Sequence, residues 1–143
     1  MLRLGHRYHR RHIVIRTQGL THLHLIVGDV ERSRRFYAEL FGAEEKFRIS
    51  PELIFLQTPG SRDLIALHGV ADSAGVAGNS AGIAHFGFRL LPDVDLDGTL
   101  PVVEQAGGVV KERGVHPHGL QYAMVADPDG YMIELLGPDP RVS

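Results

Sequence analysis

Apolar and polar positions along this chain follow two periods, and the order of the periods occurs twice. From His22 the residues run His-Leu-His-Leu-Ile-Val, a short strand headed by histidine. Val30, Phe36, Tyr37, Leu40 and Phe41 then recur at helical spacing between Asp29, a good N-cap, and Gly42, a good C-terminal stop. Arg48 to Gln57 and Arg62 to His68 read as strands separated by a turn at Pro59-Gly60-Ser61. The second half repeats this order. A strand over 84–90 carries His85 near its start. A loop holding Pro92 and three aspartates follows, then a short helix from Thr99 to Ala106 that stops at Gly107-Gly108. Val109 to Arg113, Gln121 to Ala126 and Tyr131 to Leu136 complete the strands. Each half is thus a βαβββ unit, and the class is α+β. Neither unit buries its sheet face alone, so the two pack together or pair with a second chain.

The repeat supplies a frame for the chemistry. His22 and His85 head corresponding strands, while Glu134, in the strand after Asp127-Pro128-Asp129-Gly130, falls opposite Ala66 of the first unit. Two histidines, one carboxylate and one vacant position suggest a divided metal site. Two imidazoles and a carboxylate leave positions open for substrate on a divalent ion: iron(II), manganese, zinc, nickel or cobalt. Glu134 adds its own argument, because a carboxylate among Met132, Ile133, Leu135 and Leu136 is costly to bury unpaired. Strand alternation puts Glu134 on one face with Met132 and Leu136, and His22 on one face with His24. His24 then either looks into the same cavity as a proton carrier or is an ordinary strand histidine. Gly87 leaves room beside His85.

Composition narrows the class. The 143 residues, 43% hydrophobic, suffice for one domain with a real core. With no cysteine there are no disulfides or thiolate ligands, so histidine and carboxylate must supply any metal chemistry. No apolar run is long enough to span a membrane, and no hydrophobic signal core stands at the start, which favours the cytoplasm. Residues 1–19 hold five arginines, three histidines (His6, His9 and His12) and no acid, and read as a flexible basic arm outside the active site. The remaining residues carry ten basic against seventeen acidic side chains, a formal net charge of −7 that argues against nucleic acid as partner. The expected organisation is one domain over 20–138: module one over 20–69, a Gly/Ala/Ser-rich linker over 70–82 and module two over 83–138. A tail follows over 139–143.

From Leu20 to Pro138 the chain resembles the vicinal oxygen chelate superfamily, which includes glyoxalase I, methylmalonyl-CoA epimerase, extradiol dioxygenases, fosfomycin-resistance transferases and bleomycin-binding proteins. The likeness is carried by His22 with Asp29 seven positions on, by Ser33-Arg34-Arg35-Phe36-Tyr37 leading to Leu40-Phe41-Gly42, by His85, and by Asp127-Pro128-Asp129-Gly130 with Glu134. The resemblance implies paired βαβββ modules forming a cupped, mostly antiparallel sheet around a divalent ion that chelates neighbouring substrate oxygens. It carries ligand roles onto His22, His85 and Glu134. Glyoxalase I and the epimerase use a fourth ligand where this chain has Ala66; His68, two residues on, is a substitute on the same strand face. Dioxygenases place an acid–base histidine and a tyrosine before the Asp-Pro-x-Gly turn, where this chain offers His116 or His118 and, on the strand face of Met124, Tyr122. Fosfomycin transferases need a cationic pocket, with Arg48, Arg62, Lys111 and Arg113 as candidates.

The leading expectation is a metal-dependent enzyme, a dioxygenase, lyase, isomerase or transferase, acting on a small oxygen-rich molecule, with His24, His116 or His118 moving protons. The alternative is a non-catalytic binding protein of the bleomycin-resistance type whose cup is lined by Phe47, Phe55, Tyr122 and Met124. A homodimer is expected on either reading, because open sheet edges seek partners.

Overall fold

The computed structural model describes residues 15–73 and 82–138, apart from the side chain of His118. Most of the basic arm, the middle of the linker and the tail after residue 138 lie outside the described residues. The elements are β1 (Leu23–Val27), α1 (Val30–Phe41), β2 (Glu44–Ser50), β3 (Leu53–Gln57), β4 (Ile65–Gly69), β5 (Phe86–Arg89), α2 (Leu96–Gln105), β6 (Val109–Val115), β7 (Gln121–Ala126) and β8 (Met132–Leu136), with a short 3-10 turn at Pro117–Gly119 before β7. The order βαβββ occurs twice, in an α+β molecule.

The strands form two separate four-stranded sheets, ordered β1-β4-β3-β2 and β5-β8-β7-β6. Each is mixed: its first strand runs parallel to its last, and the remaining pairs are antiparallel. The expected paired βαβββ modules are thus present as two four-stranded sheets in which antiparallel pairs predominate. Register bears out the repeat frame: His24 pairs with Ala66 across β1 and β4, and Gly87 pairs with Glu134 across β5 and β8. Ala66 and Glu134 thus hold equivalent positions, as do His22 and His85, each two residues before the paired position.

Two elements differ from the sequence reading. The stretch Arg48 to Gln57, read as one strand, is split into β2 and β3 by a reversal at Pro51-Glu52. Proline at residue 51 gives no N–H to a ladder, and the chain turns there. Helix α2 starts three residues earlier than expected, because Asp95 caps it by accepting the Gly98 N–H at 3.2 Å. Pro101 then sits inside the helix and leaves one carbonyl of the first turns without its usual donor.

Strand β4 also begins at Ile65 rather than Arg62, and β2 at Glu44 rather than Arg48, while the caps of α1 follow the pattern. Asp29 accepts the Arg32 N–H at 3.0 Å, and Gly42 ends α1 in the left-handed conformation at φ 67. On β8, Ile133 and Leu135 are buried while Glu134 faces the other way.

One core joins both modules. Phe36 and Tyr37 of α1 and Val103 of α2 meet Leu25, Val27, Ile54, Leu56 and Leu67 from the first sheet and Ala123, Val125, Ile133 and Leu135 from the second. Each large apolar side chain fully buried here contributes about 1.5–3 kcal/mol. Phe41 stacks on Phe88 across the modules, with ring centroids 3.9 Å apart.

The Asp127–Gly130 turn adds polar ties between modules. Asp129, 1% exposed, accepts from Gly28 N at 2.8 Å, Ser33 Oγ at 3.0 Å and Arg32 Nη2 at 3.1 Å. Tyr37 donates its hydroxyl to Asp127 Oδ2 at 2.8 Å. The Tyr131 hydroxyl donates to Ile26 O at 2.8 Å and accepts from Ile26 N at 3.1 Å, covering part of the outer edge of β1.

Candidate functional site

The faces turned away from the core carry the chemistry. On the second sheet, one cross-strand row runs Gly87, Glu134, Met124 and Glu112, and the next runs Arg89, Leu136, Tyr122 and Gly114. Glu134 stands among these with only 13% of its side chain exposed. Two imidazoles turn to the same carboxylate oxygen: His116 Nε2 lies 3.4 Å and His85 Nε2 3.8 Å from Glu134 Oε2. His85 comes from the residue before β5, and His116 from the residue after β6, where it precedes the 3-10 turn.

Gly87 is part of this geometry. A Cβ at that position would lie 3.0 Å from the Glu134 carbonyl oxygen and 3.5 Å from its Cβ, so a side chain there would crowd the strand that presents the carboxylate. His116 stacks flat on Tyr122, with ring centroids 4.0 Å apart and planes 20° apart. Tyr122 in turn donates its hydroxyl to Glu112 Oε1 at 2.8 Å. That hydrogen bond to a carboxylate, before anything else, raises the Tyr122 pKa, so the phenol keeps its proton. Tyr122, expected as an acid–base group, is placed as the platform under His116 with its hydroxyl already engaged. The side chain of His118, the other acid–base candidate, lies outside the described residues.

The equivalent face of the first sheet is different. Its row runs His24, Ala66, Phe55 and Phe47, with Phe47 stacked on Phe55 at 4.4 Å. His24 Nε2 and His68 Nδ1 share a hydrogen bond of 3.0 Å across β1 and β4. His68 was legible only as a possible stand-in for the carboxylate missing at Ala66; its pairing with His24 needs the parallel register of two strands more than forty residues apart in sequence. His22 is exposed, its Nδ1 2.5 Å from the Thr21 hydroxyl. It lines a cleft of about 340 Å³ together with Leu23, Asp63, Phe86 and Gly87, which brings it beside β5. A larger cleft of about 640 Å³, lined by Phe41, Phe88, Arg89 and Thr99 among others, touches none of His22, His85, His116 or Glu134.

The predicted site residues therefore fall into two groups. His85, Glu134, His116 and Tyr122 are brought together on the second sheet, while His22 and His24 belong to the first. Among the described residues, no three histidine or acidic side chains are grouped to hold an ion within one chain. The arginines considered for an anion pocket serve elsewhere or stay exposed: Arg48 pairs with Glu45 at 2.5 Å, Arg113 pairs with Asp97 at 2.8 Å, and Arg62 and Lys111 are exposed. None of the described helices is long and apolar enough to cross a membrane.

Comparison with known proteins agrees with this architecture. A Vibrio cholerae protein described as a probable lactoylglutathione lyase is 33% identical over 124 residues, which cover 82% of this chain and 88% of that one. The crystal structure of a glyoxalase-related enzyme from Fulvimarina pelagi superposes with a TM-score of 0.67 at 26% identity, covering 85% of this chain and 89% of that chain. The fosfomycin resistance protein FosX of Listeria monocytogenes, solved in complex with Mn(II) and 1S,2S-dihydroxypropylphosphonic acid, shares the fold with a TM-score of 0.68 at 20% identity, covering 84% and 90% of the two chains. Residues 19–135 match the model of the Glyoxalase/Bleomycin resistance protein/Dioxygenase superfamily, and this chain belongs to that family.

Proposed function

We propose that this protein is a metal-dependent enzyme that binds a small substrate through neighbouring oxygens, with a divalent ion held by His85, Glu134 and His22. The observation that carries the reading is the convergence of His85 and His116 on one oxygen of the largely buried Glu134. Among the described residues, no arginine or lysine lies within 4 Å of that carboxylate. A desolvated carboxylate beside imidazoles suits a cation, and His85 with Glu134, completed by His22, would suit a borderline divalent metal such as iron(II), manganese, zinc, nickel or cobalt. The chemistry such an ion supplies when bound is Lewis acidity toward two adjacent substrate oxygens.

The remaining roles belong to the chain itself. Glu134 anchors the second sheet's share of the site, and Gly87 keeps the neighbouring strand clear of it. His116, held flat by Tyr122, presents Nε2 on the same side as Glu134 and accepts or releases the proton that moves during the reaction. Tyr122 and Glu112 fix the plane of that imidazole. Met124 and the Tyr122 ring form an apolar wall that excludes water. His22, which lines the cleft beside β5, would complete the set, and in a dimer His22 of one copy would be supplied to His85 and Glu134 of the other.

The relatives fit a small, oxygen-rich substrate: the Vibrio cholerae protein carries the name of a lyase, and the Listeria monocytogenes complex holds a vicinal diol. Ala66 leaves this chain one carboxylate short of the four-ligand pattern, so the proposal extends to a lyase, isomerase, transferase or dioxygenase of this family and to no single reaction among them.

Elemental analysis of untagged protein prepared without chelators tests the reading. Near-stoichiometric metal is expected in the wild type, with a drop of about tenfold or more in His85→Ala and in Glu134→Ala. A second reading, a non-catalytic binding protein, is favoured by the Phe47–Phe55 stack, whose Phe47 is 47% exposed. Absence of metal even after reconstitution would leave that second reading in place.

A further inference from the structure

We infer that the cleft of about 640 Å³ at the junction of the modules is a second ligand site, which takes a small phenol at the open edge of β5. It is lined by none of His22, His85, His116 or Glu134, so it does not rest on the proposed function. The template for its ligand is the other half of the molecule. Ala66 and Glu134 are equivalent, and so are their register partners His24 and Gly87. Two residues after those partners stand Ile26 and Arg89, and three residues before Ala66 and Glu134 stand Asp63 and Tyr131.

One edge is closed from within. Ile26 turns its N–H and C=O away from β4, and the Tyr131 hydroxyl accepts from the first at 3.1 Å and donates to the second at 2.8 Å. Asp129 extends the seal onto Gly28 N and Ser33 Oγ. The equivalent edge is open. Leu90 N–H donates to Leu136 O at 2.8 Å, so Phe88 and Leu90 face β8 in the parallel ladder while Arg89 turns its N–H and C=O outward. Among the described residues neither of these two groups has a partner. Asp63, standing where the second module has tyrosine, folds back into its own turn and accepts from the Thr58 N–H at 2.9 Å and from the Thr58 hydroxyl. The space between that turn and β5 is the cleft.

The walls and the edge together select the ligand. Phe41, Phe88, Leu90 and Leu135 offer an apolar surface against which an aromatic ring loses its water, and the volume suits a small molecule. At the strand edge, one group must both accept from the Arg89 N–H and donate to the Arg89 C=O. A hydroxyl does both, as Tyr131 does on Ile26, whereas a carboxylate only accepts and an ammonium only donates. Ring and hydroxyl in one small molecule make a phenol.

The test is an amide-resolved NMR titration of the full-length protein with p-cresol, which is the tyrosine side chain as a free molecule, and with toluene, which lacks the hydroxyl. p-Cresol is expected to shift the amides of Gly87, Arg89 and Leu91 and to bind about fivefold or more tightly than toluene, the ratio that two hydrogen bonds provide. Arg89→Pro removes the N–H at an edge position where proline fits, and is expected to weaken p-cresol about threefold or more while leaving toluene unchanged. Arg89→Ala keeps the N–H and is expected to bind p-cresol within about twofold of the wild type. Equal affinity for p-cresol and toluene in the wild type would overturn the site, whether or not Arg89→Pro folds. So would p-cresol shifts centred on His116 and Glu134, or the absence of any shift along β5.

Discussion

Asp127 and Asp129 show how much a single side chain does in this protein. The sequence presents them as part of a turn before a strand, and locally they are: Asp127 Oδ1 accepts the N–H of Asp129 and of Tyr131, both at 2.9 Å. Their other oxygens act over about a hundred residues, on Tyr37, Ser33, Arg32 and Gly28. Burial raises the Asp127 pKa above the ordinary aspartate value, against the pull of its hydrogen bonds. The same contact raises the Tyr37 hydroxyl well above 10.0, through burial first and the Asp127 and Asp129 charges second. For a group whose folded pKa is raised, stability is whole below the unfolded value and is lost as pH climbs toward the folded one. Above about pH 10 the unfolded chain therefore gives up the Tyr37 proton while the folded chain keeps it, and stability falls by about 1.4 kcal/mol per pH unit from this residue. Tyr37→Phe is expected to be less stable at pH 7 by about 1–2 kcal/mol but to lose that share of the alkaline slope. Urea unfolding at pH 7 to 11 measures both effects, and parallel slopes in the two proteins would contradict the assignment.

At the scale of elements, local signals set most boundaries. Asp29 and Gly42 bracket α1 as their chemistry demands, and the conformation at Gly42 is one that side chains resist. A Cβ there would also approach Pro59 Cγ to 3.3 Å. Gly42→Ala is expected to cost about 1–2 kcal/mol, read as a fall of about 4–8 °C in the thermal midpoint. An unchanged midpoint would mean that α1 ends without needing the left-handed turn. Where the sequence reading went astray, a local signal was outweighed by another. Arg48 to Gln57 read as one strand, but Pro51 imposes a reversal within it. The sequence reading began α2 at Thr99, but the Asp95 cap starts the helix three residues earlier and the element tolerates Pro101.

For the whole molecule, the decisive question is how the two outward faces meet. β1 and β5 are edge strands of separate sheets, and β2 and β6 at the opposite edges expose Phe47, Ile49, Val109 and Val115. Edges of this kind invite a second copy. If His22 of one protomer joins His85 and Glu134 of its partner, subunits of His22→Ala and Glu134→Ala, each unable to hold the ion, restore one intact site per mixed dimer. Random exchange between equal amounts then recovers about a quarter of the wild-type metal content. No recovery, in a mixture that light scattering shows to be dimeric and exchanging, would place His22 outside the site.

The sequence by itself determined the repeated βαβββ order, the caps of α1, the alternation that points Glu134 away from Ile133 and Leu135, and the equivalence of His22 with His85 and of Ala66 with Glu134. All of these depend on spacing within a few residues or on comparison of the two halves, and so they were legible. Only the tertiary structure decided that His116 rather than His22 touches Glu134 within one chain, that Tyr122 is spent on Glu112, and that His24 pairs with His68. Those contacts join residues up to forty-four positions apart in sequence. They arise from strand register and from the path of the β6–β7 connection, which hydrophobic alternation along a single strand does not encode.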